Sequence, residues 1–188
     1  MTEGIQRDEL HHRQIDLRFY RRSDGLHEVE GRLVDRKRQP FRRLLADHDT
    51  PAGAPLHDIT VRLVVDETLL VHDAVAEMNA TPFQLCRGAE NTLAPLNGLR
   101  VGAGWNKRVR ELLGGAATCT HIVELLGPMA TTVIQGFAPE RMARINNADN
   151  EAQRRAKVDS CYSYSAEREV VAKLWPHLRR NVLDDKGQ

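Results

Sequence analysis

At 188 residues the chain has room for one well-packed domain, and its 41% apolar and 28% charged content is globular rather than disordered. A net charge of +1 excludes a global attraction to nucleic acid or anionic membranes, and no run approaches the ~20 apolar residues of a membrane span. The polar start MTEGIQRDELHHRQID has no signal-peptide core, and three cysteines are an odd number, so free thiols in a reducing cytoplasm are expected.

Residues 1–12 read as a flexible tail and 13–188 as a single domain. From Arg13 the pattern is extended: Ile15, Leu17 and Phe19 alternate with polar residues, Ser-Asp-Gly supplies a turn, and Leu26, Val29 and Leu33 carry the return strand. This first hairpin and the residues after it make 21–43 basic, which suits a protected strand edge or a groove for an anionic substrate. Aromatic residues do not interleave those charges, which argues against a single-stranded nucleic-acid platform.

RQPFRRLLADHDTPAGAP reads as a connector. ITVRLVV, the turn DET and LLVHDAVAEM then form a second hairpin, giving one antiparallel sheet of about four strands. Helical spacing follows over FQLCRGAENTLAPL, a Gly-rich turn over NGLRVGAGW, and a short helix over NKRVRELLGG closed by Gly114 and Gly115. The next helix buries Ile122, Leu125, Leu126, Met129, Val133 and Phe137, with a kink or break expected at Pro128. Residues 138–160 are polar and suit an exposed helix or a loop, and the end anchors through Val170, Val171, Leu174 and Trp175. Strands first and helices after predict an α+β fold, a sheet of two successive hairpins with helices on one face.

HHRQIDLRFYRRSDGLHEVEGRLVDRK, PLHDITVRLVVD, TPFQLC, LNGLRVGAGWNKRVRELLGG, CTHIVELL and DSCYSYSAEREVVAKLWP together resemble the bacterial domain-of-unknown-function family numbered 2889. The resemblance implies little about activity beyond a lead toward bacterial small-molecule catabolism. Two positions depart from the family's usual pattern: Thr118 stands where a Gly precedes Cys-Thr-His, and Glu167–Arg168 where an Asp-Gly turn occurs. A fainter likeness, bearing on fold alone, is to scaffold proteins for iron–sulfur assembly. Those use three cysteines, whereas here Leu56 or His57 takes the first place and only Cys86 and Cys119 correspond.

The densest chemistry lies in TCTHIVELL. Cys119 at a helix start sits in the positive end of the dipole, which favours a nucleophilic or metal-binding thiolate; the plain alternative is a small buried hydrophobe. His121 and Glu124, three apart, suit an imidazole held by a carboxylate or a solvated pair. His57 and Asp58 open a strand after a Pro/Gly loop and are candidate substrate contacts, as are Arg13 and Lys37 if the substrate is anionic. Glu30, Asp35 and Lys37 suit either the lining of a groove or, the preferred reading, cross-strand charge pairs on a wet sheet face. The leading expectation is a lyase or isomerase acting on a small organic substrate, anionic or aromatic, with Cys119, His121 and Glu124 catalytic and no organic cofactor. The alternatives are a metal or iron–sulfur protein using Cys86, Cys119 and His57 or His121, and an interaction module without chemistry. No nucleic-acid or membrane partner is expected, and a homodimer is the prior for a small bacterial protein.

Overall fold

The structure, a computed structural model, describes residues 4–147 and 149–180. The chain divides into two compact units, Met1–Gly136 and Phe137–Gln188.

The first unit is built on a four-stranded antiparallel sheet in which neighbours along the chain are also neighbours in space. β1 (His11–Arg21) and β2 (His27–Lys37) form the first hairpin. Its loop is closed by Arg22 and Leu26, with Gly25 at φ +85° and the Asp24 carboxylate accepting from the Leu26 N–H. The strand starts at His11, two residues before the alternation suggests. The expected connector is not structureless, because β3 (Phe41–Arg42) and β4 (Asp49–Thr50) make a small second sheet, tied by an Arg42–Asp49 ion pair. Strands of two residues are too short to show a period.

β5 (Pro55–Val65) and β6 (Val71–Ala80) complete the main sheet in the order β1-β2-β5-β6. Asp66 organises their turn, its carboxylate accepting from the N–H groups of Thr68 and Leu70. The segment expected as a helix after β6 is instead a 3₁₀ turn over Gln84–Asn91, then a second over Ala94–Leu96. None of residues 84–91 is buried, so no apolar stripe stabilises an α-helix there.

Helix α1 (Trp105–Leu113) buries Trp105, Val109 and Leu113, spaced four apart. At its end only glycine fits, since a Cβ on Gly114 would stand 2.4 Å from the Arg110 carbonyl oxygen. Helix α2 (Thr120–Gly136) packs on β1, β2 and β5 and buries Ile122, Leu125, Leu126, Met129, Ala130 and Val133. It runs unbroken through Pro128, so of the kink or break expected there the break does not occur. Pro128 and Glu124, whose carbonyl loses its amide partner, are both exposed, so water can take the missing bond. The α+β reading therefore holds, with the sheet's core on the α2 side.

In the second unit α3 (Ala138–Asn146), α4 (Glu151–Lys157) and α5 (Glu169–Leu174) are short. Arg154 donates to the carbonyls of Ile145 and Asn147, closing the end of α3. Val171 and Trp175 are buried as expected, but Leu174, in the last position of α5, is 45% exposed.

Candidate functional site

Side chains alternate across a strand, so one parity of residues in β1, β2 and β5 faces α2. The register stacks them in rows: Phe19, Val29 and Leu63; then Leu17, Gly31 and Val61; then Ile15, Leu33 and Ile59. Helix α2 lies along these rows. Its last residue, Gly136, abuts the Phe19 ring, and Met129 sits so close to Gly31 that an added Cβ there would meet its sulfur at 2.9 Å. The next row departs from this apolar series. It is Arg13, Asp35 and His57, and the start of α2 brings Cys119, His121 and Glu124 over it.

Asp35 is the centre. Its side chain is 1% exposed, and it accepts four hydrogen bonds on two oxygens. Oδ1 takes one from His11 Nε2 (3.0 Å) and one from Arg13 Nε (2.8 Å); Oδ2 takes one from Arg13 Nη2 (2.8 Å) and one from His57 Nδ1 (3.0 Å). An ionised carboxylate only accepts, so the hydrogen on His57 is at Nδ1 and its Nε2 is left as a base. The His57 and His121 rings lie 4.0 Å apart between centroids, and His121 Nε2 stands 3.9 Å from Asp35 Oδ2. The other face of the Arg13 guanidinium, Nη1, bonds both oxygens of Glu124 at 2.9 and 2.7 Å.

Burial works to raise the pKa of Asp35, but the bonds from Arg13, His11 and His57 overcome it and hold the carboxyl well below its usual range. The histidines move the other way for their class. Burial pushes both below the ordinary imidazole value, with the Asp35 charge only partly opposing it at His57, and with His57 and Arg13 adding to it at His121. At neutral pH the site thus holds two uncharged imidazoles beside a charged Asp35–Arg13 pair.

Cys119 precedes α2, and its Sγ lies 3.6 Å from His121 Nδ1. On its other side it lines an open, mainly apolar pocket of ≈ 410 Å³ with Phe83, Leu85, Cys86, Ala89 and Ala117. Thr118 hydrogen-bonds its hydroxyl to that of Thr92 and so ties the 3₁₀ segment to the entry of α2.

Of the residues singled out from sequence, Arg13, His57, Cys119, His121 and Glu124 are brought together. Glu124 is not the partner of His121, however; it is taken up by Arg13, and the carboxylate beside His121 is Asp35. Arg13 is likewise engaged by two carboxylates and is a positioning group in this geometry. Asp58, one residue past His57, falls on the other side of the sheet and is held by Arg32. Lys37 lies opposite His11 at the end of the hairpin, its carbonyl accepting from Gly53. Cys86 faces the pocket with Cys119, while the metal-capable group among the described residues is Asp35, His57 and His121, whose ligand atoms lie within 4.8 Å of one another.

Sequence reading sets Asp35 among charge pairs on a wet face and leaves His11 in the tail. Asp35 is not on a wet face: residues 29, 31, 33 and 35 share one parity, so the alternation that makes Leu33 core carries Asp35 inward too. His11 had been grouped with the tail, where only the strand register reveals it.

A family model described as Protein of unknown function (DUF2889) matches residues 11–135. The chain belongs to this family. The matched span runs from β1 through most of α2 and holds every residue of the cluster, whereas DSCYSYSAEREVVAKLWP lies beyond it. No curated protein and no solved structure matches the chain. Among the described residues no helix is long and apolar enough to cross a membrane.

Proposed function

We propose that the protein is a small-molecule enzyme of lyase or isomerase type, moving protons with His57 and His121 and using no organic cofactor. The observation that carries the reading is the pair of neutral imidazoles, 4.0 Å apart, with His57 hydrogen-bonded to a buried carboxylate that Arg13 also pairs and His121 beside it. A neutral imidazole is a base at physiological pH, and two of them let one group take a proton while the other returns it. The first-turn N–H groups of α2 have no partner within the helix and face the side on which Cys119 stands, where negative charge would develop on a substrate oxygen. Free thiols at Cys86, Cys119 and Cys161 support a reducing, cytoplasmic setting.

The test is deuterium wash-in. The protein is incubated in D₂O with a panel of small carbonyl and carboxylate carbon acids, aromatic ones included, and C–H to C–D exchange is followed by NMR. At least one compound exchanges, and His57→Asn and His121→Asn each slow that exchange by about two to four decades while circular dichroism is unchanged. Exchange that is absent throughout the panel, or indifferent to both substitutions, contradicts the reading.

One observation favours a second reading. Asp35, His57 and His121 form a two-histidine, one-carboxylate set of the kind that holds a divalent transition metal. Against it, Arg13 occupies both oxygens of Asp35 and places a positive charge where a cation would bind. Metal analysis of chelator-free protein separates the two: a stoichiometric ion that disappears in His57→Asn supports a metal centre, and its absence from metal-supplemented protein removes that reading.

A further inference from the structure

The apolar pocket has no task in the proton-transfer reading. It is large enough for a short acyl chain or an aromatic ring, and its polar lining is sparse. Cys119 is one of its lining residues, with Sγ 3.6 Å from His121 Nδ1, and His121 Nε2 is in turn 3.9 Å from Asp35 Oδ2. Thiol, imidazole and carboxylate follow one another in the order of nucleophile, base and orienting acid. The carboxylate end is fixed by Arg13, and the thiol end by the first turn of α2, whose N–H groups suit an oxyanion.

We propose that Cys119 is a covalent nucleophile for apolar acyl esters or thioesters, that the acyl group lies in the pocket lined by Phe83, Leu85 and Ala89, and that Asp35 acts as a positioning residue through His121. The Cys119 thiol gives its proton to His121 Nδ1 as sulfur bonds to the carbonyl carbon and the carbonyl electron pair moves onto oxygen. When that pair returns, the bond to the leaving oxygen or sulfur breaks, and the leaving group takes the proton from His121. Water or another hydroxyl or amine nucleophile then attacks the thioester, with His121 again accepting a proton, and returns the free thiol. The inference goes beyond the proton-transfer reading and shares with it His121, the support of that ring and the first-turn N–H groups of α2.

The test uses p-nitrophenyl acetate and p-nitrophenyl butyrate with the full chain. Release of p-nitrophenolate is recorded against the acyl adduct found by intact mass and peptide mapping. The expected result is one acyl group per chain, on Cys119, with butyrate acylating about tenfold faster than acetate because its two extra methylenes enter an apolar pocket. Cys119→Ala removes the adduct, His121→Asn slows its formation, and Cys161→Ser, at an exposed thiol in the second unit, changes nothing. Peptide mapping of the unaltered protein decides the matter even if Cys119→Ala does not fold. Acylation spread over several cysteines, or no preference for butyrate, overturns the proposal. Deuterium wash-in without Cys119 acylation overturns it while leaving the proton-transfer reading standing; acylation without wash-in supports it and removes that reading.

Discussion

Asp35 and Asp58 occupy opposite faces of one sheet, and each is gripped by an arginine from a neighbouring strand through Nε and Nη2 at 2.7–2.8 Å. The bonds are alike, but the surroundings are not. Asp58 meets Arg32, whose side chain is 51% exposed, on a face that also carries the Arg62 pairs with Glu30 and Glu77. The Asp58 side chain is itself only 12% exposed, but its arginine reaches water, so the pair is partly screened and contributes less than a wholly covered one. Asp35 lies beneath the start of α2, and beyond its arginine it holds His11 and His57 and stands close to His121. A low-dielectric setting makes the same carboxylate costly to leave unpaired and able to fix the rings around it. A single step along the strand, from His57 to Asp58, separates the two environments, so which face a residue points to decides whether a carboxylate meets one water-reaching arginine or gathers a cluster of rings.

Four expectations sharpen that contrast. The largest is in stability: Asp35→Asn should cost about 3–5 kcal/mol in urea unfolding, and Asp58→Asn about 1 kcal/mol or less. Equal costs would erase the distinction between the faces. Next comes the seating of α2, which creates the covered face. In Gly136→Ala the new Cβ would stand 2.1 Å from the Phe19 ring, so ring or helix must shift, at about 1–3 kcal/mol. A drop in thermal midpoint with little change in the Arg32–Asp58 side would confirm that the strain stays on the helix side. Third, Arg13→Lys keeps the charge but loses the fork that spans Asp35 and Glu124; about 1–2 kcal/mol is expected, whereas Arg32→Lys should be close to neutral.

The smallest effect is in pH dependence. His57 and His121 have depressed values in the folded protein, while in the unfolded chain they titrate near the ordinary ~6.5. Below that pH the unfolded chain binds more protons, so stability falls as pH drops from about 7 toward 5 and is flat above. Asp35, also depressed, contributes stability that is present above its unfolded value of ~3.9 and is lost only below it, outside this window. Urea titrations at several pH values should show the slope removed in a His57→Asn, His121→Asn double variant and kept in Asp58→Asn.

The sheet was readable because period-two alternation over Ile15–Phe19 and Ile59–Val65 is long enough to be unambiguous, and the turns carry Asp24, Gly25 and Asp66. The 84–91 segment misled because helical spacing of apolar residues does not by itself bury them. At the site, Cys119 and His121 announce themselves by their place at a helix start. Their carboxylate does not, since Glu124 three residues on is the local choice, and Arg13, 111 residues away along the chain, claims it instead. Asp35 was legible in principle from its parity with Val29, Gly31 and Leu33. His11 was not, because its role follows from a pairing register that the tail's composition does not reveal.

The central claim is that burial keeps His57 and His121 neutral against the pull of the Asp35 charge, and that Asp35 fixes the orientation of His57. It is tested most directly by an NMR titration of the histidine ring nitrogens and carbons in the unaltered protein and in Asp35→Asn. The account predicts that His57 and His121 titrate below ~6.5, that His57 carries its hydrogen on Nδ1, and that Asp35→Asn removes this tautomer preference. Both rings titrating at or above ~6.5 as free imidazoles do, with no response to Asp35→Asn, would contradict it.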